Sequence, residues 1–307
     1  MPNNPYSNFV IENEIEDQFL SHLDLERFCE VDDTLTLNDG MTIKVHRYSA
    51  TNGTEKVAQG EGNSQTITAG YAEVEYNILC AQNRFSWFDE ELMKDPAMVL
   101  TGTKHMGTDM FNTTNGDVYA EFKKATKVVP VEAFDFNAFA DAEAMLGLEN
   151  LEDIEIFAFV SPDDVAGLRK KLKDSLQYVE AFAKQGYIGT VGGCNVYTKA
   201  DAVKGLICLG VKGAVTKYIK NGVSSEIERD ANTRKNTEYF RKYYVCALTD
   251  EKLAVKILLG SASASTDTTV DSDKTYYEKV GLGYVAVIPA SGDNPQSKGW
   301  YEITENF

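Results

Sequence analysis

Residues 281–286 read Gly-Leu-Gly-Tyr-Val-Ala, the G-x-G-x-x-A spacing that lets a backbone approach a pyrophosphate. That chemistry requires a helix straight after the glycines, because the helix N-terminus supplies the N–H groups and the positive dipole end. Val287-Ile288-Pro289 follows instead, so no nucleotide site is expected. Asp267 to Glu278 carries oxygen ligands at several positions of a calcium loop, including the terminal Glu. Its sixth position is Ser272 rather than the glycine the sharp turn needs, and neither flank is helical, so a solvated turn is expected. His22, His46 and His105 are far apart and lack metal-ligand spacing. No nucleophile elbow and no P-loop occurs. The many carboxylates could furnish an acid and a base, but no spacing singles out two of them. Glu228-Arg229-Asp230 is the most conspicuous charged cluster, and its expected role is structural, as surface salt bridges between strands.

With no catalytic, cofactor or metal residue indicated, composition becomes the next guide. A chain of 307 residues can bury a substantial core and form about two domains. The net charge of -17 argues against a surface that grips nucleic acid, which needs Lys and Arg on phosphates. It suits a protein that stays soluble when concentrated, or one that must not stick to DNA lying against it. Cys29, Cys80, Cys194, Cys208 and Cys246 form no C-x-x-C pair and are expected as free buried thiols made in a reducing cytosol. No signal-peptide pattern opens the chain, and no apolar run approaches the ~20 residues of a membrane span, so no membrane association is expected.

The elements come next. In the acidic first segment, Phe19, Leu20, Leu23 and Phe28 could line a short amphipathic helix, an arm that docks elsewhere. Met41–Tyr48 and Tyr71–Leu79 alternate apolar and polar residues as strands do, joined by a long polar stretch, Ser49–Gly70. A two-stranded ribbon is marginal alone in water and needs a surface to lie on. Asp95-Pro96 opens a long helix with Val99, Thr103, Met106 and Met110 at helical spacing, expected to break near Asn112–Asp117. Asp135 caps a second helix stopped by Gly147. Ile154–Val160 is a strand, and Ser161-Pro162-Asp163-Asp164 then caps a helix whose stripe is Val165, Leu168, Leu172, Leu176 and Val179. Residues 186–193 form a glycine-rich turn before a Cys194–Tyr197 strand. Leu206–Ile219, Tyr239–Leu248 and Leu253–Leu259 read as strands, and Gly260–Thr266 as a small-residue linker. Lys274-Thr275-Tyr276-Tyr277-Glu278 is echoed by Lys298-Gly299-Trp300-Tyr301-Glu302, two short strand units.

The order of strand, Ser-Pro-capped helix, Gly-x-x-Gly turn and Gly-Cys-Asn-Val-Tyr strand, followed by Glu226-Ile227-Glu228-Arg229-Asp230, resembles tailed-phage major capsid proteins, the fold typified by phage Hong Kong ninety-seven. The resemblance covers roughly residues 35–258. It implies an α+β fold with an N-terminal arm (1–40), an extended hairpin loop (41–79) and a peripheral domain with a long spine helix (80–133). It further implies an apical domain (134–235) and peripheral return strands (236–260), while the two short strand units read on their own as a C-terminal β appendage (261–307). The implied function is self-assembly into hexamers and pentamers of an icosahedral shell enclosing double-stranded DNA without sequence-specific binding. A portal protein and a separate scaffolding protein are the implied partners, and the virion the destination after synthesis in the host bacterial cytoplasm. The implied interface residues are Lys56, Glu61 and Asn63 at the hairpin tip, Tyr187, Gly189 and Gly192 near the capsomer centre, and Glu228 and Arg229. The same fold also builds encapsulin compartments, the alternative reading, and an acid–base enzyme stands as the alternative from another class.

Overall fold

The computed structural model describes residues 23–36, 40–50, 54–148, 154–172 and 187–305. A short turn of 3-10 helix at Leu25–Phe28 leads into β1 (Glu30–Asp32). β2 (Thr42–Ala50) and β3 (Ala69–Asn77) form the expected hairpin, and β4 (Leu79–Phe88) runs on from it. Helices α1 (Asp89–Lys94) and α2 (Ala97–Lys123) follow, then β5 (Lys127–Val131) and α3 (Phe136–Leu146). β6 (Ile156–Val160) and α4 (Pro162–Leu172) precede β7 (Tyr187–Val191) and β8 (Cys194–Thr198). The chain continues through β9 (Leu206–Val211), β10 (Val215–Asp230), β11 (Lys235–Leu248) and β12 (Ala254–Ala264). β13 (Tyr276–Val280), β14 (Gly283–Val287), α5 (Pro295–Lys298) and β15 (Tyr301–Glu305) complete the described residues.

These strands make a nine-stranded mixed sheet ordered β15-β13-β14-β5-β12-β9-β6-β8-β7, a four-stranded sheet ordered β1-β10-β11-β4, and the separate pair β2-β3. The large sheet is covered on both faces, and β6 shows why its sequence is apolar throughout. Ile156, Ala158 and Val160 face a core shared with α3 and α4, while Phe157 and Phe159 face a second core shared with α2, the Leu25–Phe28 turn and the four-stranded sheet. β9 divides in the same way, Ile207, Leu209 and Val211 against Leu206 and Cys208. A strand buried on both faces loses the polar alternation of a half-exposed one.

Local signals hold where side chains close them. Ser161 Oγ accepts the Asp164 N–H at 3.2 Å and donates to its carboxylate at 2.7 Å, which also accepts the Gly205 N–H at 2.8 Å. The cap of α4 thereby ties the helix to the loop before β9. Asp135 caps α3 through the Ala138 N–H, and Gly147 ends it in the left-handed region. Of the stripe on α4, Val165 and Leu168 are buried, while Leu176 and Val179 lie outside the described residues.

Several expectations are corrected. Helix α2 runs through Asn112–Asp117 without a break. Asn115 points inward there, its Oδ1 accepting the Leu25 N–H at 3.1 Å and its Nδ2 donating to the Leu23 carbonyl at 2.9 Å. A turn-former is thus retained inside a helix because it grips a neighbouring segment. Gly102 is a packing requirement, since a Cβ would lie 2.5 Å from the Phe85 ring. Phe28 is buried among Phe157, Phe159 and Tyr197 of its own chain rather than lining an arm, while Phe19 and Leu20 lie outside the described residues. The Leu206–Ile219 run divides into β9 and the start of β10, and β10 pairs with β11 from Val215 to Asp230 in the four-stranded sheet. Gly260–Ala264 is the end of β12 and not a linker. The small residues admit β15, for a Cβ on Gly260 would lie 2.2 Å from the Thr304 carbonyl. The final strands therefore belong to the large sheet, and the two halves of the repeat pack together, with Tyr277 opposite Tyr301 and Tyr276 beside Trp300 at 5.9 Å. Cys80 is exposed, whereas the other four thiols are buried.

Phe28→Ala is expected to cost about 3–5 kcal/mol, read as a lowered urea midpoint, because it empties a site where two sheets and α2 converge. Gly260→Val is expected to detach β15, read as faster amide exchange in residues 301–305 with slow exchange retained in β6.

Candidate assembly surfaces

The β2–β3 ribbon pairs in unbroken register from Thr42 opposite Asn77 to Ala50 opposite Ala69, and among the described residues it joins no larger sheet. Its root is fastened. The Ile78 N–H donates to the Met41 carbonyl at 2.7 Å, Val45 and Ile78 are buried, and Lys124 sits over the Tyr76 ring at 5.8 Å. Lys44 pairs with Glu73 across the strands and holds that carboxyl below its usual range. Farther out the body falls away: every residue from 54 to 71 is exposed, and Ile67 and Tyr71 present 60% and 66% of their surface to solvent. The tip shapes itself. Ser64 donates from N–H and Oγ to Glu55, Asn63 accepts the Gln65 N–H, and the Glu61 N–H donates to Ala58. Lys56, Glu61 and Asn63 all lie in this exposed stretch.

The second surface is the β7–β8 hairpin, where β7 is the edge strand of the large sheet. The residues expected as one glycine-rich turn are instead strand β7 followed by the two-residue turn Gly192-Gly193, both glycines having positive φ as a tight hairpin requires. Gly189 sits buried at a bulge, and a Cβ on Gly192 would press to 3.2 Å on Phe139. Gly189 and Gly192 therefore shape and seat the hairpin, and Thr190 and Gly193 are what it exposes.

The third is the far end of β10–β11. Adjacent residues of a strand point to opposite faces. Arg229 pairs with Asp89 at the start of α1 at 2.9 Å, while Glu228 accepts the Tyr239 hydroxyl at 3.1 Å. Asp89 also accepts from Asn236 at 2.7 Å, and Arg234 pairs with Glu90 at 3.0 Å. The salt bridges expected between strands are not what forms: Arg229 pairs with a helix residue, Glu228 accepts a tyrosine hydroxyl, and Asp230 accepts the Thr233 hydroxyl in its own turn at 2.6 Å. The outer edge of β10 beyond Lys220 carries no strand among the described residues, since β1 covers only Thr216–Tyr218. Val223 and Ile227 on that stretch, with Met93 and Leu100 on the helices beside it, are exposed apolar side chains. These three surfaces lie apart, so the expected interface residues do not converge on one site.

Sequence reasoning passes over two features. β4 and α1 are absent from it, although Ala81, Asn83, Phe85 and Trp87 alternate with polar neighbours. It also misses the ion pair of Lys217, fully buried, with Glu26 at 2.6 Å. Lys242 lies close by, its ammonium pushed down to about 8 by burial and by Lys217. Among the described residues no three His, Cys, Asp or Glu side chains could hold a metal ion, and no helix is long and apolar enough to cross a membrane. The Gly281–Ala286 stretch is the turn of the β13–β14 hairpin and most of strand β14, and the Asp267 carboxylate is held by Lys274 and Tyr276 at 2.8 Å each.

No protein-family model matches the chain. Over 243 residues it is 27% identical to the major capsid protein of Staphylococcus phage phiMR11, covering 77% of this chain and 87% of that protein. The structure matches a subunit of the mature capsid of bacteriophage PhiM1 with a TM-score of 0.59 at 10% identity, over 78% of this chain and 88% of the other. It matches the SrpI encapsulin of Synechococcus elongatus PCC 7942 with a TM-score of 0.58 at 10% identity, over 76% and 86%. The fold is thus the α+β Hong Kong ninety-seven type shared by phage capsids and encapsulins.

In the isolated subunit, Cys80 is expected to react with a maleimide well before the other cysteines, checked by peptide mass mapping. Burial pushes the Cys29 thiol up to about 11 and those of Cys194 and Cys208 up to about 12, which withholds the reactive thiolate. Arg229→Ala is expected to cost less than about 1 kcal/mol in urea unfolding, as an exposed ion pair does.

Proposed function

We propose that this chain is a structural major capsid protein that assembles into the pentamers and hexamers of an icosahedral shell around double-stranded phage DNA. The observation that carries the reading is the ribbon: residues 54–71 are wholly exposed on a hairpin that, among the described residues, belongs to no larger sheet. A projecting ribbon with exposed Ile67 and Tyr71 is stabilised when a second copy supplies the surface its own body does not. The relative from Staphylococcus phage phiMR11, matched over most of its length, carries the name major capsid protein.

In this reading the tip residues Lys56, Glu61 and Asn63 meet a neighbouring subunit. The β7–β8 hairpin, with Tyr187, Gly189 and Gly192, lies near the capsomer centre, and Glu228 and Arg229 stiffen a contact between capsomers. Residues 41–79 act as the extended loop, the four-stranded sheet with α2 as the peripheral domain, and the strands and helices around β6 as the apical domain. A portal protein and a separate scaffolding protein complete assembly in the bacterial cytoplasm, and the product is the virion. A net charge of -17 keeps packaged DNA from adhering to the wall. The role is structural and assigns no catalytic residue.

The likeness to an encapsulin favours a second reading, a cellular compartment built on the same fold. Particle contents separate the two, genome in one case and an enzyme cargo in the other.

Electron microscopy of the purified protein is expected to show closed shells or ring-shaped capsomers, and monomers under all assembly conditions would overturn the reading. Replacing residues 54–68 by a short glycine turn is expected to leave the melting temperature of the subunit nearly unchanged while abolishing shells.

A further inference from the structure

Beside the root of the ribbon, between α2 and the β4–β11 pair, lies a cavity of about 350 Å³. That volume is the size of a small-ligand pocket. Leu79, Ala81, Ala120 and Val245 give it an apolar lining, and Leu79 is 71% exposed there. Asp117 and Glu121 of α2 line it as well.

Helical spacing sets the two carboxylates together, since residues four apart share a helix face at roughly 5–6 Å. Neither is fully answered within the chain. Asp117 accepts the Tyr244 hydroxyl on Oδ2 alone. Glu121 is only 7% exposed and takes the Lys124 ammonium on Oε1. Its Oε2 is buried and meets no donor among the described residues. A buried carboxylate oxygen without a partner carries an uncompensated desolvation cost, and a donor brought into the cavity would remove it. Charge says what kind of donor. Lys124 neutralises one of the two carboxylates, and a chain of net charge -17 draws cations in. Among the described residues no three His, Cys, Asp or Glu side chains could hold a metal ion, and the apolar lining suits an alkyl chain better than a hydrated ion. A linker of about four methylenes would span carboxylates at that helical spacing.

We propose that this cavity binds an aliphatic diamine, with one ammonium donating to Glu121, the other to Asp117, and the methylenes lying on Leu79, Ala81, Ala120 and Val245. The ligand supplies the donor that Glu121 lacks, and its two charges fix its direction along α2.

Equilibrium dialysis of radiolabelled putrescine against the full chain tests this, with butylamine, butanediol and magnesium as competitors. Saturable binding of one putrescine per chain is expected. Butylamine should compete about tenfold more weakly, the loss of one charged hydrogen bond, and butanediol and magnesium should not compete at equal concentration. Glu121→Gln keeps the shape and removes the charge, while Ala120→Leu fills the cavity with a residue that helices accept. Each is expected to weaken putrescine binding about tenfold or more with an unchanged circular dichroism spectrum. Undiminished binding in either variant, butylamine binding as well as putrescine, displacement by equal magnesium, or no saturable binding would overturn the proposal.

Discussion

Phe28, Phe122, Phe157, Phe159 and Tyr197 meet in one aromatic cluster at the centre of the core between the long helix and the two sheets. Phe28 lies 4.8 Å from Phe157, 5.3 Å from Phe159 and 4.8 Å from Tyr197, and Phe122 of the long helix lies 5.5 Å from Phe157. The pairs are tilted or edge-to-face, the arrangements favoured by the ring quadrupoles. The cluster joins the N-terminal turn, the long helix and the large sheet, and the four-stranded sheet shares its core. Gly210 belongs to the same constraint, because a Cβ there would press to 2.7 Å on Phe122. With the centre so closely packed, the exposed pieces are carried outward on it, the ribbon in one place and the β10–β11 end in another.

How far this was legible in sequence depended on whether a signal was local. The Ser161-Pro162 cap and the ribbon strands are written in neighbouring residues, so their reading holds in the structure. Asn115 and the Gly260–Ala264 run were misread because their conformations are decided by partners far along the chain. Asn115 answers to Leu23 and Leu25, and Gly260 to Thr304. Turn propensity is a weak prior that tertiary contact overrides. The ion pair of Glu26 with Lys217 joins residues whose proximity no periodicity reports. Of the candidate surfaces, the exposure of the ribbon tip is readable from its polar composition. The glycines of the β7–β8 hairpin proved to serve the packing of the hairpin itself, a distinction that only Phe139 above the turn makes visible.

The charged side chains at the β10–β11 end are tied to several different elements of the chain. Glu226 pairs with Arg241, Glu228 with Tyr239, and Arg229 with Asp89, so each charge is answered within the chain. Each such exposed pair contributes little, because it pays side-chain entropy and is screened by water.

The pairings of the four-stranded sheet have a kinetic consequence. β4 waits for β11, with Phe88 opposite Lys235, and β1 waits for β10, with Glu30 opposite Thr216. During synthesis the ribbon and long helix leave the ribosome well before either partner strand exists. A nascent chain halted short of β10 therefore holds two unpaired strand edges and an uncovered aromatic surface. Distant pairing of this kind slows folding and lengthens the interval in which sticky intermediates persist. Cellular chaperones would find their substrate in that interval, on the ribosome and before any subunit meets another.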